Sequence, residues 1–128
     1  MQSTAATLVL YGIPNCDTVK KARTWLQEQQ VEFVFHDFKK NGLERSTVET
    51  WLQHVGLDVL INRKGTTWRA LSDEQKASAT DTDAAIALML ASPSIIKRPV
   101  LQQSGAASAA VQKVDVGFSA QQYEQLLK

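Results

Sequence analysis

The chain has 128 residues, of which 44% are hydrophobic and 21% are charged, as in a soluble globular protein with its own core. The net charge of +1 excludes a strong overall attraction to nucleic acid or anionic membranes, so any cationic function has to be local. The single cysteine excludes an internal disulfide. There is no basic leader segment, and the apolar runs are too short to cross a bilayer, so we expect a cytoplasmic protein.

The first third of the chain predicts a strand, a helix and a second strand. Residues 7–12 form a short apolar run ending at a glycine, which is typical of a buried strand. Residues 31–38 are aromatic and β-branched on both faces, which indicates a central strand. Because a helix joins them, we expect a parallel pair with a right-handed crossover. The apolar stripe of this helix consists of Val19, Ala22 and Leu26.

The middle of the chain predicts a block of helices at about residues 44–92. Gly56 is expected to end the first of them, and a Ser-Pro pair to end the last. The predicted helix starts are the capping boxes Ser46 with Glu49 and Ser72 with Gln75, followed by Thr82 or Asp83.

The last third predicts a hairpin and a final helix. Residues 95–101 read as a short strand with Pro99 at its entrance, and the alternating residues 111–118 pair with it. The small polar segment between them is expected to be the turn. The final helix is predicted to begin at Ser119 with Gln122 as its capping partner, and its inward residues are Tyr123, Leu126 and Leu127.

Together these elements predict an α/β thioredoxin-like fold. The order is β-α-β, a helical block and then β-β-α, which gives a mixed sheet with a helical insertion. We expect one domain over residues 1–128, with the insertion at about 44–92.

The single cysteine, Cys16, follows the first strand and a turn that contains Pro14 and Asn15. It therefore stands at the start of a helix, where unpaired N–H groups and the helix dipole favour negative charge. This placement lowers a thiol pKa and favours the reactive thiolate, whereas the Asp17 carboxylate opposes it. A lone cysteine is often a small buried hydrophobic residue. The exposed turn favours the reactive alternative.

Two cysteine chemistries are disfavoured by the spacing. A two-cysteine redox motif needs a thiol three residues later, where Val19 stands, so the resolving thiol has to come from outside. A phosphatase loop needs an arginine six residues later, where Ala22 stands. Arg23 is one residue further, about 100° away around the helix.

Arg63 and Arg98 are the candidate anion-binding residues, since a guanidinium binds oxyanions and carboxylates through a planar fork. If both reach Cys16, they stabilise its thiolate and hold an anionic partner; the alternative for each is a solvated surface charge. His36 and His54 show no metal-ligand spacing. Trp51 and Trp68 are predicted core residues.

The segments YGIPNCDTVKKA, LINRKGTTWR and IIKRPVL, with VGF before the last helix, together resemble the arsenate reductase (ArsC)/Spx family, most closely its YffB-like branch. The resemblance covers roughly residues 7–127 and implies a thioredoxin-like fold. It implies that Cys16 is the nucleophile and that Arg63 and Arg98 hold an anionic group. It also implies a cis peptide bond at Pro99.

The resemblance further implies binding of glutathione by Asn15, Arg98 and Pro99. We therefore expect a glutathione-dependent thiol reductase with no bound cofactor or metal, with glutathione as co-substrate and a small anionic or disulfide substrate. An arsenate reductase is one alternative, although only Lys113 stands in the segment where those enzymes carry a further arginine. A non-enzymatic regulator that binds RNA polymerase, like Spx, is the other alternative. Neither membrane nor direct nucleic-acid binding is expected.

Overall fold

The computed structural model describes residues 7–104 and 111–126, and the chain divides into two compact units. The first unit is formed by the residues up to Lys40 and from Arg98 onward, and the second is Asn41–Lys97. No helix among the described residues is long and apolar enough to cross a membrane. The elements are β1 (Thr7–Gly12), α1 (Asp17–Glu28), β2 (Val34–Asp37), α2 (Arg45–Leu52), α3 (Leu57–Leu60), α4 (Thr66–Arg69), α5 (Asp73–Ser78), α6 (Thr82–Ala91), a 3-10 turn (Pro93–Ile95), β3 (Val100–Ser104), β4 (Val111–Val116) and α7 (Ala120–Leu126).

The first unit contains a mixed four-stranded sheet in the order β2-β1-β3-β4. Strand β1 pairs in parallel with β2 and antiparallel with β3, and β3 pairs antiparallel with β4. The predicted α/β class, parallel first pair and final hairpin are therefore confirmed. The turn predicted for this hairpin lies outside the described residues.

One face of the sheet carries the core of this unit. Leu10 pairs with Phe35 on one side and with Leu101 on the other, so all three side chains point to the same face. Helices α1 and α7 pack on that face. The buried core there consists of Leu8, Leu10, Ala22, Leu26, Leu101 and Tyr123.

The prediction that residues 31–38 form a central strand was wrong. Strand β2 spans only Val34–Asp37 and lies at the edge of the sheet. Its aromatic residues suggested burial on both faces, but Phe35 packs on the core whereas the Val34 side chain is 58% exposed. An edge strand with one apolar face and one exposed valine has the same run of apolar residues as a central strand.

The second unit is helical, and two of its three predicted starts are confirmed. Ser72 and Gln75 form a capping box before α5, because the Ser72 hydroxyl accepts a hydrogen bond from the Gln75 N–H at 3.1 Å. Helix α6 begins at Thr82 with Asp81 as its cap. After Thr82 and Asp83 it is apolar on all sides, and its buried residues are Ala85, Ile86, Leu88 and Met89.

The predicted end of α6 at the Ser-Pro pair is confirmed, because the helix stops at Ala91 with Ser92 as its C-cap. The following predicted boundaries in this region were wrong. Helix α2 begins at Arg45, so Ser46 lies inside it, and the Glu49 carboxylate bonds to the Arg45 guanidinium instead of capping the helix. Gly56 does not end α2, which stops at Leu52; it is the N-cap of α3. Strand β3 starts at Val100 because the residues before it form the 3-10 turn and an isolated bridge between Ile96 and Ile61.

Candidate functional site

Cys16 stands between β1 and α1, and backbone hydrogen bonds fix its position. Its N–H donates to the Ile13 carbonyl at 3.2 Å, which closes the turn, and its carbonyl accepts from the Lys20 N–H at 2.9 Å. It is therefore the N-cap of α1, with extended backbone angles of φ −89° and ψ 125°. The side chain is partly exposed, so the thiol is accessible.

Gly12 allows α1 to approach the end of β1 closely. A Cβ built on Gly12 would lie 2.8 Å from Cγ2 of Val19, which is a steric clash. Val19 is fully buried in the first turn of α1. The absence of a side chain at residue 12 therefore helps to set where the helix, and with it Cys16, begins.

The pKa of the Cys16 thiol is lowered from its ordinary value. Burial raises this pKa, but the Val19 N–H, the Arg98 guanidinium and the Thr18 N–H together lower it by more. The Cys16 side chain makes no capping hydrogen bond, so the N–H groups at the start of α1 favour the thiolate through their electrostatic field.

Arg98 and Pro99 lie where β3 begins, beside the cysteine. Arg98 is partly buried and interacts with the Cys16 sulfur by hydrogen bonding and by charge. The Arg98–Pro99 peptide bond is cis, as the resemblance implies. Pro99 is buried, and its carbonyl accepts from the Gly117 N–H at 2.8 Å. The structure therefore brings Cys16 and Arg98 together in the first unit.

Asn15 lies in the turn directly before Cys16 and is exposed. Its predicted contact with glutathione remains a prediction. Lys20 and Lys21 are also exposed, and neither is among the groups that shift the Cys16 pKa.

Arg63 belongs to the second unit, where its side chain is exposed. Its guanidinium carbon lies 5.6 Å from the centre of the Trp68 ring, within the range of a cation–π contact. Trp68 was predicted to be core and is buried, but its contact with Arg63 was not predicted. The spacing of five residues across a glycine-containing turn was the only signal for this contact.

Neither histidine belongs to a metal site among the described residues, which contain no group of three or more His, Cys, Asp and Glu side chains able to hold a metal. His36 lies on β2 as predicted, and its ring centre is 4.9 Å from that of Tyr11. His54 is exposed just after α2.

Comparison with known proteins gives consistent matches over nearly the whole chain. The family model described as "ArsC family" matches residues 11–126. A solved structure described as the YffB protein aligns with a TM-score of 0.84 and 46% identity, covering 95% of this chain and 100% of that chain. An arsenate reductase (ArsC) related protein from Brucella melitensis aligns with a TM-score of 0.70 and 43% identity, covering 95% of each chain.

The global transcriptional regulator Spx of Streptococcus pneumoniae is 27% identical over 101 residues, which is 73% of this chain and 71% of that protein. The relatives therefore include both an arsenate reductase related protein and a regulator. The fold comparison confirms the predicted thioredoxin-like class. Since the family model spans all but the ends of the sequence, the chain belongs to the ArsC family.

Proposed function

We propose that the protein is a glutathione-dependent thiol reductase that uses Cys16 as its only protein thiol. The observation that carries this proposal is an accessible cysteine at the N-cap of α1 whose pKa is lowered by helix N–H groups and by Arg98. A thiolate at this place is the nucleophilic form of cysteine. The sequence supplies no second thiol, so the electrons have to come from an external one.

The proposed reaction consumes one molecule of reduced glutathione for each glutathione mixed disulfide that is reduced. The Cys16 thiolate attacks the glutathione sulfur of a mixed disulfide, forms a new S–S bond and releases the substrate thiolate, which takes up a proton. The thiolate of a second glutathione then attacks the Cys16–glutathione disulfide. This step yields oxidised glutathione and restores the Cys16 thiolate.

In this proposal Arg98, Arg63 and Asn15 bind the anionic and polar groups of glutathione. The position of Arg98 beside the sulfur supports its role, since a guanidinium pairs well with a carboxylate. Pro99 has no N–H, and its carbonyl accepts from Gly117, so we assign it a packing role beside the backbone of Arg98.

Turnover of a mixed disulfide of glutathione and 2-mercaptoethanol tests this function, with glutathione consumption followed by a glutathione reductase coupled assay. We expect turnover by the wild type and none by Cys16→Ser. Arg69→Gln, which removes an exposed arginine of α4, should retain turnover. Equal turnover by wild type and Cys16→Ser would refute the role of Cys16. Absence of turnover together with no protection of Cys16 by glutathione would refute the function.

Arsenate is a second candidate substrate because the Brucella melitensis relative is described as arsenate reductase related. Against it, the described part of the segment after Pro99 contributes Lys113 as its only cation. Replacing the mixed disulfide by arsenate in this assay, with and without a glutaredoxin, decides the question. Oxidation of glutathione that requires both arsenate and Cys16 would replace disulfide reduction as the proposed activity.

The similarity to Spx keeps a regulator as the non-enzymatic alternative. A pull-down with purified RNA polymerase, comparing wild type and Cys16→Ser, distinguishes it from an enzyme. Equal binding by both proteins, combined with no turnover, would favour the regulator.

A further inference from the structure

The turn that carries Arg63 is held by several local hydrogen bonds. The Asn62 N–H donates to the Ile95 carbonyl at 2.8 Å, and the Asn62 carbonyl accepts from the Gly65 N–H at 3.2 Å. The Asn62 side-chain oxygen accepts from the Lys64 N–H at 3.3 Å. The backbone of Arg63 is therefore fixed, and the remaining freedom lies in its long side chain.

Trp68 provides a fixed surface for that side chain. Trp68 is only 8% exposed, and its helix, α4, packs against the 3-10 turn at Pro93–Ile95. The Arg63 guanidinium carbon lies 5.6 Å from the ring centre, where the negative face of an indole attracts a cation. The contact joins a buried aromatic residue to an exposed cation.

No described carboxylate lies within 4 Å of Arg63, in contrast to Arg45, whose guanidinium is paired with both Glu49 and Asp83. This difference matters because an ion pair holds a guanidinium in place but also occupies its N–H donors and neutralises its charge. An aromatic ring restricts the guanidinium without accepting those hydrogen bonds. Arg63 also borders an open cleft of about 500 Å³ within the second unit, and its side chain is exposed to solvent.

We propose that Trp68 is a positioning residue, whose indole ring holds the Arg63 guanidinium ready for a carboxylate of the substrate. The inference rests on the proposed function, in which Arg63 binds an anionic group of glutathione. It assigns Trp68 a role beyond filling the core: restricting the arginine before the ligand arrives reduces the conformational entropy lost on binding.

Protection of Cys16 against iodoacetamide by glutathione tests the proposal, because this readout does not require turnover. We expect Trp68→Leu to raise the half-protecting glutathione concentration by about two- to fivefold, the range of an exposed cation–π contact. Trp68→Phe should retain most of the effect. In turnover, KM for glutathione should rise while kcat stays unchanged. Trp51→Leu, which removes another buried tryptophan of the second unit, is the control for loss of packing.

A double-mutant cycle separates this proposal from the proposed function. If Trp68 acts through Arg63, Trp68→Leu has no further effect in the Arg63→Gln background. If Arg63→Gln leaves glutathione protection unchanged, the role of Arg63 in the proposed function fails, and this inference fails with it. If Arg63→Gln weakens protection but Trp68→Leu does not, or their effects add, only the positioning role is overturned.

If Trp68→Leu does not fold, global replacement of tryptophan by fluorinated tryptophan tests the same contact. Fluorination weakens the negative face of the indole and preserves its shape, so it weakens a cation–π contact with little change in packing. The half-protecting glutathione concentration should rise in wild type and stay constant in Arg63→Gln. An equal rise in both proteins would overturn the proposal, because Trp25 and Trp51 would then account for it.

Discussion

At the scale of single residues, the reactivity of Cys16 comes from two sources that lie far apart in the sequence. The N–H groups of Thr18 and Val19 follow from its position at a helix start, whereas the charge of Arg98 comes from the entrance of a distant strand. Burial of the sulfur raises the Cys16 pKa, but the N–H groups and the Arg98 charge together lower it by more. The thiolate is therefore favoured without complete exposure of the sulfur.

Removing the Arg98 charge should raise the Cys16 pKa towards its ordinary value. The wild-type pKa is lowered, so its alkylation rate should rise at lower pH than that of an ordinary thiol, and the Arg98→Gln profile should move to higher pH. The measurement is the iodoacetamide rate at Cys16 as a function of pH. Arg69→Gln should superpose on wild type, and a shift of equal size in Arg69→Gln would contradict a specific role of Arg98.

A side chain at residue 12 should disturb the start of α1. Gly12→Ala places its Cβ 2.8 Å from a Val19 methyl carbon, and overpacking of this kind costs about 1–3 kcal/mol. We expect a lower free energy of unfolding in urea and a Cys16 pKa closer to its ordinary value, because the Val19 N–H moves.

Val19→Ala provides the rescue in this experiment. The double variant Gly12→Ala/Val19→Ala should recover the pKa of the Val19→Ala single variant, because the clashing methyl groups are gone. A Cys16 pKa unchanged in Gly12→Ala would show that this close approach does not set the helix start.

At the scale of elements, local sequence predicted β1, the pairing of β3 with β4 and the cap of α5. Each of these depends on neighbouring residues, such as the Ser72 and Gln75 box. The errors arose where another contact, or the position of a strand in the sheet, outweighed the local signal. Glu49 bonded to Arg45 instead of capping a helix, and the second strand became an edge although its aromatic residues suggested a centre.

The residues of the candidate site that local sequence motifs mark could be predicted. The turn before α1 identified Cys16, and the motif around Pro99 identified Arg98. The contact of Arg63 with Trp68 could not be predicted, since it depends on how a four-residue helix is oriented. The roles of Asn15 and Arg63 in ligand binding remain predictions.

Helix α7 offers a test of how the core of the first unit is packed. The Tyr123 ring lies edge-on to Trp25 and Phe118, with ring centres 5.8 and 4.8 Å away. Its buried hydroxyl has no hydrogen-bond partner among the described residues, and burial together with the nearby Asp115 carboxylate raises its pKa. We therefore expect Tyr123→Phe to leave the free energy of unfolding unchanged or raise it by about 1 kcal/mol.

Tyr11→Phe is the matched control for this substitution. The Tyr11 hydroxyl hydrogen bonds to Gln102, so its removal should lower the free energy of unfolding by about 1 kcal/mol. Urea unfolding of both variants measures the difference. A loss of stability in Tyr123→Phe as large as in Tyr11→Phe would show that the Tyr123 hydroxyl is satisfied in solution.

At the scale of the whole molecule, the charges nearly cancel. With a net charge of +1, the protein creates no strong long-range field, so attraction of an anionic reagent to Cys16 has to come from cations close to it. Arg98 is such a cation, because its charge acts directly on the sulfur. Arg45 carries the same formal charge, but Glu49 and Asp83 neutralise it locally.

The ratio of the alkylation rates of Cys16 by anionic iodoacetate and neutral iodoacetamide separates local from overall charge. For the wild type we expect this ratio to be higher than the same ratio measured for free glutathione. The preference for iodoacetate should fall as salt rises from about 0.1 M to about 1 M, because the screening length shrinks from about 10 Å to about 3 Å. Arg98→Gln should reduce the preference for iodoacetate and weaken its salt dependence.

Arg45→Gln is the matched control, because it makes the same change in net charge. It should leave the ratio unchanged, because exposed ion pairs contribute little beyond their immediate surroundings. An equal reduction in both variants would mean that the net charge of the molecule, rather than the guanidinium beside the sulfur, attracts the anion.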